Sequence, residues 1–320
     1  MKIFKHALRL LINAHSFHQI YVPSTMKNKL IALTVFLCLF FSVDSLLAQI
    51  DSIKIDKIVI VETLDGNRFT GKLVERTGNK IVIETQSAGT VTLEINKLKS
   101  IMEGDVARIK PDGYWFENPH ATRNFFAPTG FGLRKGEGYY QNILVGLNQF
   151  SYGISDNFSI GGGFEIFSLL AGNAPAVLFL TPKVSFKAGK NYNVGVGALV
   201  GSFGINEDRV GAGLLYLTNT FGNRDKNFTA AIGYGYADGS LAKKPTINIG
   251  AQIRGGKKWA FVTENYFIDN FILFSAGARR LSEDSAWDFG LVYPIVDGEG
   301  APLVIPFVGY TIFFGKKRKM

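Results

Sequence analysis

Cysteine is all but missing from this sequence. The 320-residue chain has one, Cys38, inside an apolar stretch that reads as a removable export signal. A mature chain without it has no disulfide, no thiolate metal site and no cysteine nucleophile. Histidine is nearly as scarce. Of four, only His120 lies beyond the signal, so His-dependent catalysis has one residue to draw on. Charged residues make up 19%, below the roughly 25% of ordinary globular proteins. No apolar run reaches the roughly 18 residues of a spanning helix, so a membrane crossing would fall to strands. Against 10 prolines stand 36 glycines and 13% aromatics, a mixture too apolar for disorder.

Met26 is followed by Lys27 and Lys29, then by apolar residues from Leu30 to Val43 and the exit Asp44-Ser45-Leu46-Leu47-Ala48. This is the layout of a signal peptide, with the cut expected after Ala48; the alternative is a signal-anchor or buried helix. Residues 1–25 read as an upstream extension. Residues 1–48 hold five of the basic and one of the acidic residues, which leaves 30 and 25 in the mature chain. Four of those positives sit together at Lys316-Lys317-Arg318-Lys319. The pI of 9.4 therefore reflects a basic tail and does not point to nucleic acid.

From Lys57 to Glu103 short β-branched runs alternate with turn signals: Asp65-Gly66, Gly78-Asn79 and Ala88-Gly89. Five short strands are expected, with Phe69 and Leu73 entering the core. The stretch Glu62 to Leu73 resembles the first motif of Sm-like domains. The second Sm motif, with its Arg-Gly or Lys-Gly turn, is not visible, so RNA binding does not carry over. The resemblance implies a small SH3-like barrel serving as an interaction module. Residues 105–122 read as a linker, with a Pro111-Asp112-Gly113 turn and the aromatic cluster Tyr114-Trp115-Phe116. That cluster suits either packing at a domain junction or anchoring at a membrane interface. His120 reads as a solvated turn residue there.

Beyond Arg123 the chain becomes a series of segments of mostly 9 to 13 residues, the length of membrane-crossing strands. Twelve are expected. The first two cover 125–134 and 138–153, and the last covers 303–314. Several alternate with period two. Phe228, Ala230, Ile232, Tyr234 and Tyr236 oppose Asn227, Thr229, Ala231, Gly233 and Gly235; Ile247, Ile249 and Ile253 oppose Asn248, Gln252 and Arg254. A soluble antiparallel sheet also alternates. The polar faces, however, are dominated by Gly, Asn, Thr and Ser, which fit a curved lumen. Tight turns also alternate with connections that are mostly longer, as outer-membrane barrels require. Ten spanning strands with two soluble ones remain the alternative count. Val308, Tyr310, Ile312 and Phe314 resemble the aromatic last strand that barrel-assembly machinery recognises, displaced from the terminus by six residues. The C-terminal region as a whole is similar to Gram-negative outer-membrane barrels of unassigned function.

The reading is all-β: an antiparallel transmembrane β-barrel of about 12 strands preceded by a small five-stranded SH3-like barrel. The chain divides into an upstream extension and signal peptide (1–48), the small domain (49–104), the linker (105–122), the barrel (123–316) and the basic tail (317–320). Candidate lumen-lining charges are Glu165, Arg254, Glu264, Arg280 and Asp288, because charge facing lipid is costly. They either pair into a network that plugs the barrel or line a polar pathway. The expected role is structural, or passive transport of small polar solutes. The alternative is an outer-membrane enzyme acting on lipid or envelope substrates. No cofactor, metal site or catalytic set is expected. The expected partners are outer-membrane lipid, the assembly machinery and a periplasmic or envelope partner for the small domain, with both the N-terminal domain and the C-terminus in the periplasm.

Overall fold

The computed structural model describes residues 53–110, 113–205, 209–237, 239–300 and 303–315. The expected signal peptide with Cys38, and the basic tail, lie outside them. The described chain splits into two compact units, with the division between Glu117 and Asn118.

The smaller unit is a five-stranded antiparallel sheet made of β1 (Ile58–Thr63), β2 (Arg68–Thr77), β3 (Lys80–Thr85), β4 (Gly89–Glu94) and β5 (Leu98–Glu103), in the order β4-β3-β2-β1-β5. Val59, Val61, Leu73, Ile81, Ile83, Leu98 and Ile101 form its core, with Phe69 packed against it. Strand β2 bends at a bulge between Leu73 and Glu75, and one sheet can wrap its own core only by such bending. A two-stranded ladder of β6 (Ile109–Lys110) and β7 (Gly113–Tyr114) follows. Tyr114 and Phe116 are buried, and the Tyr114 hydroxyl accepts the Asp105 N–H at 3.3 Å.

The larger unit is a closed antiparallel barrel of twelve strands. The first three strands are β8 (Glu137–Ile143), β9 (Leu147–Gly153) and β10 (Phe158–Glu165). The fourth is split into β11 (Val177–Leu180) and β12 (Lys183–Gly189) around Thr181-Pro182, where proline removes a ladder donor. Next come β13 (Tyr192–Phe203), β14 (Val210–Gly222) and β15 (Lys226–Ala237), the last paired with a short extension, β16 (Ser240–Leu241). The wall continues through β17 (Thr246–Arg254), β18 (Trp259–Ile268), β19 (Phe271–Leu281) and β20 (Ser285–Val296). An extension of β20, β21 (Glu299–Gly300), leads to β22 (Ile305–Gly315). Pairing of β22 with β8 closes the ring, with Gly315 opposite Glu137.

Burial along these strands is inverted relative to a soluble sheet. On β17, Ile247, Ile249 and Ile253 are 41%, 37% and 50% exposed, while Asn248, Gln252 and Arg254 are 4%, 1% and 1% exposed. On β20, Trp287, Phe289 and Leu291 face out and Asp288 is buried. A large apolar outer surface around a polar core is unfavourable in water and is what a hydrocarbon solvent selects. At the end of the barrel holding Glu137 and Gly315, the connections between strands are short: 154–157, 190–191, 223–225, 255–258 and 282–284. Most connections at the opposite end are longer. One carries a helix, α1 (Ile166–Leu170).

Two segments differ from the sequence expectation. Residues 138–153 are not one strand but the hairpin of β8 and β9, turning at Leu144 and Val145, both with positive φ (49° and 64°). Residues 125–134 form no strand of the wall; they lie inside the barrel. The two differences cancel in the strand count.

Candidate functional site

The lumen is occupied by the chain's own residues 118–134. Asn118, His120, Asn124, Phe125 and Thr129 are each no more than 2% exposed. Residues 118–122, expected in a linker, therefore belong to the barrel unit, and His120 is a buried residue rather than a solvated one. The segment folds back on itself. Asn124 N–H donates to the Ala127 carbonyl at 3.0 Å, Thr129 N–H donates to the Thr122 carbonyl at 3.0 Å, and Arg123 bridges to Pro128. This makes a small loop with its tip at 125–126. A loop inside a barrel cannot satisfy its backbone groups with water, so the wall must do it.

The wall does so with the polar residues that the alternation turns inward. The Glu264 carboxylate on β18 accepts the N–H groups of Phe126 and Ala127, each at 2.9 Å, and the Tyr266 hydroxyl at 2.8 Å. Lys183 on β12 donates to the Thr129 and Phe131 carbonyls at 2.6 and 2.7 Å. Thr220 on β14 accepts the Gly130 N–H at 2.7 Å, and Gln141 on β8 donates to the Phe125 carbonyl at 3.1 Å. Arg279 on β19 donates to the carbonyls of His120 at 3.0 Å and Arg123 at 3.3 Å, and also to that of Asn124. His120 Nε2 lies 2.9 Å from the Thr311 hydroxyl on β22. Arg123 donates to Gln149 Oε1 at 3.0 Å and to Gln141 Oε1, and its guanidinium sits 4.1 Å from the Tyr139 ring centroid.

Close approach fixes some residue types. A Cβ on Gly130 would sit 2.3 Å from the Asn193 carbonyl oxygen on β13. Only glycine lets the loop backbone touch the wall there.

The five candidate charges fall in different places. Glu264 and Asp288 are buried in the lumen, 3% and 1% exposed. Arg254 is buried near the short-turn end, paired with Asp225 at 2.9 Å and donating to the carbonyls of Gly256 and Lys257. Glu165 is half-buried at the far end of β10, where its carboxylate caps α1 by accepting the N–H groups of Phe167 and Ser168. Arg280 is a correction. It is exposed on the outer face opposite Trp287, and its neighbour Arg279 takes the buried place opposite Asp288. The sequence reading also missed Arg123, Lys183 and Gln141. Lys183 and Gln141 share the inward phase of their strands, whereas Arg123 lies on the loop and carried no signal.

Beside the loop lies a cavity of about 140 Å³ bordered by Arg123, Phe126, Lys183, Leu214, Tyr216 and Asn248, among others. No group of three or more His, Cys, Asp or Glu side chains suited to a metal occurs among the described residues.

No family model matches the chain, and no curated protein does. Among solved structures it is similar to the KdgM porin (11% identity, 56% of this chain and 99% of that one, TM-score 0.39) and the NanC porin (9%, 56% and 97%, 0.36). It is also similar to the toluene transporter TbuX of Ralstonia pickettii (11%, 82% and 88%, 0.32). Identities and TM-scores this low carry nothing about function.

Proposed function

We propose that this protein is an outer-membrane β-barrel that passes small polar solutes passively and is held nearly closed by its internal loop. The observation that carries the reading is the lumen itself: an apolar outer wall encloses polar side chains committed to residues 118–134. Every loop carbonyl and N–H held by the wall is one that a passing solute cannot use, so flux is slow and confined to small species. The short turns mark the periplasmic end, as in barrels inserted from that side. The N-terminal sheet then lies in the periplasm, where it serves as an interaction module for an envelope partner.

Planar-bilayer recording on the detergent-purified full chain tests this. Rare openings of small conductance are expected. A steady, wide-pore conductance would mean that the loop does not occupy the lumen in a membrane, and folding without detergent would remove the membrane reading altogether.

A second reading, an envelope hydrolase, draws on one observation: His120 Nε2 lies within hydrogen-bond reach of the Thr311 hydroxyl. A base that activates a hydroxyl is normally oriented by a third group, and His120 Nδ1 has no hydrogen-bond partner among the described residues. Transport is the better supported of the two.

A further inference from the structure

The cavity beside the loop is bordered by two buried cations, Arg123 and Lys183, 6% and 8% exposed, and by no acidic residue. Neither forms an ion pair among the described residues, whereas Arg254 and Arg279, buried on the wall, are paired with Asp225 and Asp288. Among the described residues, the unpaired carboxylate nearby is Glu264. Its oxygens are taken by two loop N–H groups and by Tyr266. Two cations on the border and no carboxylate there leave the cavity positively charged. A buried charge without a counter-charge is costly, and the cavity is where a counter-charge would fit. Arg123 Nε has no hydrogen-bond partner among the described residues.

The rest of the border is mainly apolar, with Phe126, Phe131, Leu133, Leu199 and Leu214. A volume of about 140 Å³ is close to that of engineered cavities that hold one benzene ring. Charge, lining and size together specify a small anion with an apolar body. From them we infer that this cavity binds a compact organic monocarboxylate, its carboxylate between Arg123 and Lys183 and its body against Leu199 and Leu214.

The inference rests on the barrel reading and names the solute class for the same lumen. The probe is 4-fluorobenzoate, followed by fluorine NMR on the full chain in detergent, with 4-fluorobenzamide as its neutral analogue. Heat-modifiable gel mobility verifies the folded barrel first, so failure of the barrel is distinguished from failure of the site. Saturable broadening of the benzoate signal is expected, at least tenfold weaker in Lys183→Met and absent for the amide. Leu214→Trp fills the apolar part and leaves both cations and the loop contacts in place; it too should abolish binding, and it serves if Lys183→Met does not fold. No saturable benzoate binding to the folded barrel, equal binding of the amide, or undiminished binding by Leu214→Trp would each overturn the inference.

Discussion

Arg279 and Asp288 face each other across β19 and β20 inside the barrel, Nε to Oδ1 at 2.5 Å and Nη2 to Oδ2 at 3.0 Å, with both side chains at most 1% exposed. The pair does more than neutralise itself, because Arg279 also donates to three loop carbonyls and to Gln252. Asp288 thus holds the guanidinium where it can grip the loop. Arg279→Met strands a buried carboxylate and frees those carbonyls, at a cost of about 3–5 kcal/mol. The expected outcome is a lower unfolding midpoint on heat-modifiable gels together with more frequent bilayer openings. A variant with a lower midpoint and unchanged openings would mean that Arg279 stabilises the wall without gating the lumen.

Gly130 joins loop to wall in a different way. Its missing side chain lets the loop approach the Asn193 carbonyl, a backbone group that cannot rotate aside. Gly130→Ala leaves every polar contact chemically intact and acts by sterics alone. Overpacking of this kind costs about 1–3 kcal/mol. Faster backbone hydrogen exchange in 122–131 is expected, with the outer strands unchanged. Uniform destabilisation of the whole barrel would argue that the loop and wall unfold as one unit.

The small sheet carries a pH dependence of its own. Glu62 on β1 accepts from Lys99 at 2.6 Å and from Arg68 at 3.1 Å. The Lys99 ammonium, with Arg68 beside it, holds the Glu62 carboxyl below its ordinary 4.5. A carboxyl whose pKa is depressed on folding stabilises the fold above its unfolded value and loses that contribution as pH falls through the folded one. Because Lys99 is exposed, the effect is at most about 1 kcal/mol. Hydrogen exchange in Ile58–Thr63, corrected for intrinsic rates, should accelerate below about pH 4.5 in the native chain. In Glu62→Gln it should be faster at neutral pH and lose that acid-side change.

Alternation made the wall legible in the sequence. Ile247 against Asn248 and Phe228 against Thr229 carry the same period in the sequence and in the structure, and two-sided lining is all that a strand needs to declare itself. Glycine and asparagine marked four of the five short turns for the same local reason. The loop was illegible because it is buried on every side. Phe125, Ala127 and Phe131 look like one face of a strand, yet Asn124 and Gly130, which would lie on the other face, are buried as well. The turn at Leu144-Val145 was hidden by its apolar residues, which seldom take positive φ. It is held from outside the turn, by Asn142 donating to the Val145 carbonyl at 2.9 Å. Arg280 was misplaced by a single residue, since two adjacent arginines on a strand must point to opposite sides and only the register with Asp288 says which.

His120 distinguishes the two functional readings. Its ring meets the Phe313 ring edge-on at 5.5 Å, its Nε2 reaches Thr311, and its carbonyl accepts from Arg279. All three contacts tie the start of the loop to the wall, and none sets a carboxylate against the imidazole ring. In a transport barrel, His120→Ala removes one hydrogen bond and leaves a gap beside Phe313. The hydrogen bond alone is worth about 1–3 kcal/mol when its buried partner is left unsatisfied. The midpoint on heat-modifiable gels should fall, and bilayer openings should become more frequent. Phospholipid hydrolysis by the native chain in mixed micelles should be at background and stay there in the variant. If the native chain hydrolyses lipid and His120→Ala abolishes the activity while the barrel remains folded, the histidine and Thr311 act as base and nucleophile, and the loop is part of an active site rather than a plug.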